Sequence, residues 1–291
     1  MQRPPWEISH LELDMTSAYA DLDTLKSPAV LNLTGNAFDS RLLALLEDVS
    51  RWIDAHCNRH FYVLTASRRF DGAGGTQLRI PDLVSLTTLT SDEDQDRVFE
   101  TSWSSTDYLL YPLNAEPQQP WGRPYSRLLV DVAAGSRAAF PSGPSTVEIA
   151  GRWGFREETQ DSGADINEGA TFSASDTLLT VTDGTRFAPG QTVLIATEQL
   201  YITAISGNDL SVSRGINGTA AATHADGADI SISRYPGPVV EACLLRTSRL
   251  WRSRDPGEAG SNTGRNSLPG VDPDVQRLLS SYRRAPLGLG L

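Results

Sequence analysis

Residues 38–58, FDSRLLALLEDVSRWIDAHCN, carry apolar side chains at Leu42, Leu45, Leu46, Val49, Trp52, Ile53 and Cys57. That is i, i+3/i+4, i+7 spacing, which places a wide apolar stripe on one side of a helix. Asp39 stands where an N-cap is expected. Working outward, residues 238–254 repeat the pattern through Val239, Val240, Cys243, Leu244, Thr247, Leu250 and Trp251, with Pro238 suited to a first helical turn. Residues 273–284 form a shorter helix after Asp272, with Val275, Leu278, Leu279 and Tyr282 as its apolar side and Arg283 and Arg284 at its end. A short helix capped by Thr16 or Ser17 is expected to run to Lys26, before Pro28.

Between these helices the periodicity changes. Residues 61–70, 108–113, 127–132 and 146–153 are expected strands, and residues 78–89 suggest strand, turn, strand with Pro81 at an edge. From 171 to 232, short alternating runs separated by Gly, Asp and Asn turns predict a compact all-β unit, barrel or sandwich. Residues 160–169 are polar and are expected to be a linker. The expected class is α+β: a helical bundle with a small β-sheet, built from 1–159 and 234–291, plus an inserted β module at 160–233. About sixty residues is marginal for an independent core, so the module is expected to lean on a neighbour. It is nevertheless expected to be peripheral and removable.

The formal net charge is −11. Sequence-specific nucleic-acid binding and attachment to an anionic membrane both call for a basic surface, so both are disfavoured. Lys26 is the one lysine; every other basic residue is arginine, which suits planar contacts at interfaces. Residues 1–10, MQRPPWEISH, lack the apolar core of a signal peptide, and no window has the run of apolar residues a membrane span requires. A soluble protein made in the cytosol is expected, with Cys57 and Cys243 as a reduced buried pair, a bridge between their helices being the alternative.

Motifs of catalysis are missing. Gly72, Gly74 and Gly75 are not followed by a helix or a P-loop lysine, so they are assigned to a turn. His56 and His60 are i, i+4 but lack further ligands at zinc spacing. His224, Asp226 and Asp229 do not fit a calcium loop. No GxSxG elbow occurs, and the carboxylates lie in loops. Asn32-Leu33-Thr34 and Asn217-Gly218-Thr219 match the glycosylation triplet without a secretion signal beside them. No enzyme activity, cofactor or metal is expected. The end of the chain, Arg283-Arg284-Ala285-Pro286-Leu287-Gly288-Leu289-Gly290-Leu291, is apolar with little left to pack on, which points to a partner.

Several stretches in order carry a resemblance: YADLDTLK (19–26), LLEDVSRWIDAHCNRHF (45–61), TSDEDQDRVFETSWSSTDYLLYPLN (90–114), VEIAGRWGF (147–155), PGPVVEACLLRTSRLWRSR (236–254) and DPDVQRLLSSYRR (272–284). Together they resemble head-tail connector (adaptor, head-completion) proteins of tailed bacteriophages. Residues 177–230 resemble a small β module of phage structural proteins.

The resemblance implies a virion neck protein assembled in the bacterial cytoplasm. It would form a ring, typically dodecameric, that binds the portal, extends the DNA channel and receives the next neck or tail component. Genomic DNA would pass the acidic lumen without specific binding. By family analogy the portal is bound by Val275, Leu278, Leu279, Tyr282, Arg283, Arg284, Pro286, Leu287, Leu289 and Leu291. A closed ring requires a heterologous interface. Its expected residues are Leu42, Leu46, Trp52, Trp251 and Arg252. The rival expectations are a tail-completion protein and an accessory decoration or host-binding protein acting through the β module.

Overall fold

The helix at 38–58 forms where its stripe requires it. In the computed structural model, which describes residues 17–253 and 272–285, α2 spans Asp39–Cys57 and buries Leu42, Leu45, Leu46, Val49, Ser50, Ile53 and Cys57. It stops at Asn58, whose φ of 53° is left-handed, a conformation asparagine tolerates and in which helices commonly end. Asp39 is not the cap. Phe38 occupies that position without a side-chain bond, and Asp39 instead takes the Lys26 ammonium at 2.6 Å, tying α2 to α1 (Leu22–Lys26). The cap of α1 is Asp21, accepting from the Thr24 amide, and not Ser17. The later helices are α3 (Gly237–Arg252) and α4 (Pro273–Leu279), α4 being capped by Asp272 as expected.

A helical bundle does not form. Among the described residues, four α-helices stand against twelve strands, arranged as two six-stranded antiparallel sheets. The first sheet comprises β1 (Leu64–Ala73), β2 (Gln77–Ser91), β3 (Thr101–Ser102), β4 (Tyr108–Tyr111), β5 (Tyr125–Val130) and β6 (Ser142–Trp153), in the order β1-β6-β2-β5-β4 with β3 on β2. Its inward side chains, among them Ile80, Leu83, Leu128, Val147, Ile149 and Trp153, share one core with α2, α3 and α4. The helices are a cover on this sheet.

Residues 78–89 are not strand, turn, strand. β2 is continuous for fifteen residues. Its pairing with β5 shifts register between Arg79 and Leu83, and from Leu83 onward it pairs with β6. Pro81, with no N–H to give a ladder, lies in that shift, where no regular pair is required of it.

The second sheet comprises β7 (Glu158–Asp165), β8 (Leu178–Thr180), β9 (Thr192–Ile195), β10 (Glu198–Ser206), β11 (Asp209–Ser213) and β12 (Asp229–Arg234), in the order β7-β12-β9-β10-β11-β8. It closes on itself. Ile166 bridges Val181, and amides of Asn167 and Thr182 donate to Thr180 and Asp165, each at 2.9 Å. The result is a small barrel with its own core of Phe172, Leu179, Val181, Val193, Leu200, Leu210, Ile230 and others. The expected linker at 160–169 is largely β7. Its Glu, Thr, Gln and Asp side chains hide the strand from a hydrophobic pattern, yet their backbone pairs with β12.

Nor is the barrel peripheral. Tyr201 and Ile216 belong to the main core rather than to the barrel's own. Asn217, fully buried, donates to Ser17 Oγ at 2.9 Å and to Gln199 Oε1 at 3.0 Å, while Gln199 donates to the Val63 carbonyl at 2.9 Å. The Thr65 amide donates to the Asn217 carbonyl at 3.0 Å and the Leu22 amide to the Pro189 carbonyl at 2.9 Å. Gly218, with φ of +74°, lies so close to β1 that a Cβ would stand 2.1 Å from the Thr65 carbonyl oxygen. Such a buried seam of directional hydrogen bonds fixes one relative placement of barrel and sheet. It also takes Asn217 out of reach as a glycosylation acceptor.

Candidate functional site

α2 ends beside the first sheet, and the residues just after its cap help to build a recess lined by arginines. Asn58, Arg59, His60, Arg68, Pro81, Asp82 and Arg284 line a cleft of about 410 Å³. Arg59 and His60 arrive from the α2 terminus, Arg68 from β1 and Asp82 from the irregular point of β2. Arg284 comes from the far end of the described chain.

Asp82 is the hub and is 5% exposed. Arg284 Nη1 lies 3.1 Å from its Oδ1, and Arg284 Nη2 donates to the Ile80 carbonyl at 2.5 Å. Arg59 Nε stands 3.3 Å from Asp82 Oδ2, but out of line, so that neither atom makes a hydrogen bond. Burial pushes the Asp82 carboxyl above the usual range, against the pull of Arg59, Arg284 and Arg68.

Arg68 lies over the Trp153 ring at 4.7 Å, with Nη2 3.3 Å from His60 Nε2. Burial, against the bond to Tyr62 and with smaller pulls from Arg68 and Arg51, holds His60 down at about 4. The ring is therefore neutral at pH 7. With Nδ1 donating to the Tyr62 carbonyl at 2.9 Å, Nε2 is left to accept from Arg68. Three guanidinium groups thus face one carboxylate, a local positive excess in an acidic chain. Such a recess is suited to an oxyanion.

Among the exposed apolar side chains of the described residues, two groups stand out. One comes from β4 and the following loop, where Leu109, Leu113 and Trp121 are exposed, Trp121 by 75%. The other joins the start of α2 to the end of α3: Phe38 is 55% exposed, its ring 5.4 Å from that of Trp251, with Leu250 beside Trp251 in sequence.

The residues expected to meet the portal are placed differently from one another. Val275 and Leu279 are completely buried in the main core, and Leu278 and Tyr282 pack against it. Tyr282 sits 5.7 Å from Phe61 and 5.5 Å from Phe155, ring to ring. Arg284 is consumed by Asp82 and Ile80, and its amide donates to the Cys57 carbonyl at 2.8 Å. Arg283 is exposed and lines a second cleft of about 450 Å³ with His56, Gln276, Ser280, Arg284 and Ala285. Pro286, Leu287, Leu289 and Leu291 lie outside the described residues.

Of the residues expected between subunits, Leu42 and Leu46 are fully buried within the chain and have no surface to offer a neighbour. Trp52 is partly buried, stacked on His56 and under Arg246. Trp251 is partly exposed, and Arg252 is exposed while donating to the Val30 carbonyl at 2.5 Å.

His56 and His60 are turned to different neighbours, Trp52 and Tyr62. His224 is bonded to Glu198 at 2.7 Å, and Asp226 accepts from the Glu168 and Gly169 amides. Cys57 and Cys243 are buried free thiols, each pushed up to about 11, chiefly by burial.

Arg59, Arg68, Asp82 and His60 were not legible as a group. They are scattered in sequence and share no spacing, and only the fold brings them together. No family model, curated protein or solved structure matches this chain.

Proposed function

We propose that this chain is a structural protein of the head–tail junction of a tailed bacteriophage, assembling as a closed ring that binds the portal and receives the next neck or tail component. The observation that carries this reading is two groups of exposed apolar side chains on different elements, Phe38 and Leu250 with the partly exposed Trp251, and Leu109, Leu113 and Trp121. A cyclic ring joins two different faces of each subunit, and a chain built for it needs two such patches. The order of neck-protein-like motifs along the sequence supports the location. The net charge of −11 supports a lumen along which DNA slides without sticking.

Portal contact is assigned to Arg283, which is exposed, and, from the motif order of the sequence, to the apolar residues Pro286, Leu287, Leu289 and Leu291. Val275, Leu279 and Arg284 act from behind, by fixing the position of the described residues before them.

The test is to add the purified protein to DNA-filled, tailless heads and image the portal vertex by cryo-electron microscopy. A cyclic density capping the portal is expected, with Trp121→Asp giving a folded protein that no longer forms it. Density on isolated tails and none on heads would make it a tail-side completion protein instead. Binding to neither would remove it from the neck.

A further inference from the structure

We propose that the arginine cleft is a carboxylate-binding site and that it is filled by the acidic loop at residues 92–96 of a second copy of this chain. The proposal rests on the ring reading above and adds to it a named polar contact between subunits.

The cleft is under-supplied with acceptors. Asp82 is the one carboxylate among its lining residues, approached by Arg59 and Arg284 together. Arg59 Nε is buried without a hydrogen bond. Arg68 points at a neutral imidazole. A buried guanidinium favours a paired, forked acceptor, and a carboxylate side chain matches that fork. The cleft is open, and its volume of about 410 Å³ admits a side chain.

The loop has the complementary form. Glu93, Asp94 and Asp96 are exposed. Buried Asp92 holds the loop rigid, accepting from the Gln95 amide at 2.6 Å and the Arg97 amide at 2.9 Å, while Arg97 donates to the Pro144 carbonyl at 3.0 Å. A loop already ordered loses little freedom on docking.

Its own cleft is out of reach. Asp82 and the loop are joined by β2, which ends at Ser91. At strand rise the ten residues from Asp82 to Asp92 span about 33 Å. Donor and acceptor are thus held apart on one rigid strand, which suits a head-to-tail contact and prevents a self-contact.

Disulfide trapping tests this with the full chain. Asn58→Cys, at the exposed lip of the cleft, and Asp94→Cys are made as separate proteins and mixed under mild oxidation, free in solution and on tailless heads. Pro81→Cys replaces Asn58→Cys if the left-handed position does not tolerate cysteine. Ser175→Cys, on an exposed turn of the barrel, is the control partner. A heterodimer band with Asp94→Cys, absent with Ser175→Cys, is expected. It should be lost when the cleft protein also carries Arg68→Gln, and weakened at about 1 M salt, where screening acts within about 3 Å. No band above the control, or a band indifferent to Arg68→Gln, overturns the proposal. Protein that binds heads without this cross-link leaves the neck reading standing and removes the loop-in-cleft contact. Cross-linking without head binding does the reverse.

Discussion

Arg284 and Asp82 lie 202 positions apart in sequence and 3.1 Å apart in space. One ion pair therefore fastens the last described turn of the chain to the centre of the longest strand. With 14% and 6% of their side chains exposed, the pair is shielded from solvent and little screened. Arg284→Ala should destabilise the fold by roughly 1–3 kcal/mol, the cost of leaving buried acceptors unpaired. Arg284→Lys, which keeps the charge but not the fork, should fall between the two. Urea denaturation midpoints measure both, and an unchanged midpoint for Arg284→Ala would show that α4 is held by Val275 and Leu279 alone.

The seam between barrel and sheet predicts a contrast between two glycines. Gly218→Ala puts a methyl into the Thr65 carbonyl at a left-handed position, and should cost roughly 2–5 kcal/mol. Gly207→Ala, also left-handed but with nothing within 4 Å, should cost only about 1 kcal/mol. Equal thermal shifts for the two would mean that the barrel can ride away from β1. By the same reasoning, excision of residues 160–233 should yield aggregated protein, since it strips Tyr201 and Ile216 from the main core.

Asp54 predicts a pH dependence. Tyr19 donates its hydroxyl to this carboxylate and accepts the Phe61 amide at 2.8 Å. Burial raises Asp54 to about 6, against Arg51 and the Tyr19 bond, which lower it. In the unfolded chain an aspartate titrates near 4. Between those values the native state holds a proton that the unfolded state has lost, so this group's contribution to stability falls as pH rises from about 4 to about 6. The stability difference between the wild-type protein and Asp54→Asn should decline across that window and level off above it. A difference that stays flat would place the Asp54 titration elsewhere.

Glu198 predicts the opposite slope in the barrel. It is 1% exposed and accepts from Arg214 Nε and Nη2 at 2.7 and 2.8 Å, from the Gly215 and Ala222 amides, and from His224. Burial would raise it, but bonds from Arg214, Ala222 and His224 hold it below the usual range. Its stabilisation is present above the unfolded value of about 4.3 and is lost as pH falls through the lower folded value. Glu198→Gln should cost roughly 3–5 kcal/mol near neutrality and lose that acid-side slope, as read by pH-dependent denaturation.

The helices were legible because each concentrates its apolar residues on one stripe. α2, α3 and α4 lie within two residues of the expected starts. What that clarity concealed was proportion. The strands expected at 61–70, 108–113, 127–132 and 146–153 form as β1, β4, β5 and β6, but each reads separately in sequence and only long-range pairing makes one sheet of them, while β7 lacks an apolar pattern over its first residues. The sheet that organises the molecule was therefore taken for an accessory to the helices. Pro81 suggested a break where the strand in fact runs through an irregular point. The arginine cleft was not legible at all: Arg59, Arg68 and Arg284 meet Asp82 only through long-range pairing. The stripe on α4 could not reveal that Val275 and Leu279 are spent within the chain.

Lys26 closes the salt bridge that joins α1 to α2, and it is the only lysine in the sequence. Its ammonium is held by Asp39 and the Gly35 carbonyl, each at 2.6 Å, with 17% of the side chain exposed. Reagents that attack side-chain amines, such as aldehyde fixatives and succinimidyl esters, would find a single shielded target. Any assembly containing this chain and fixed that way would hold it, through its side-chain amines, by no more than this one shielded group.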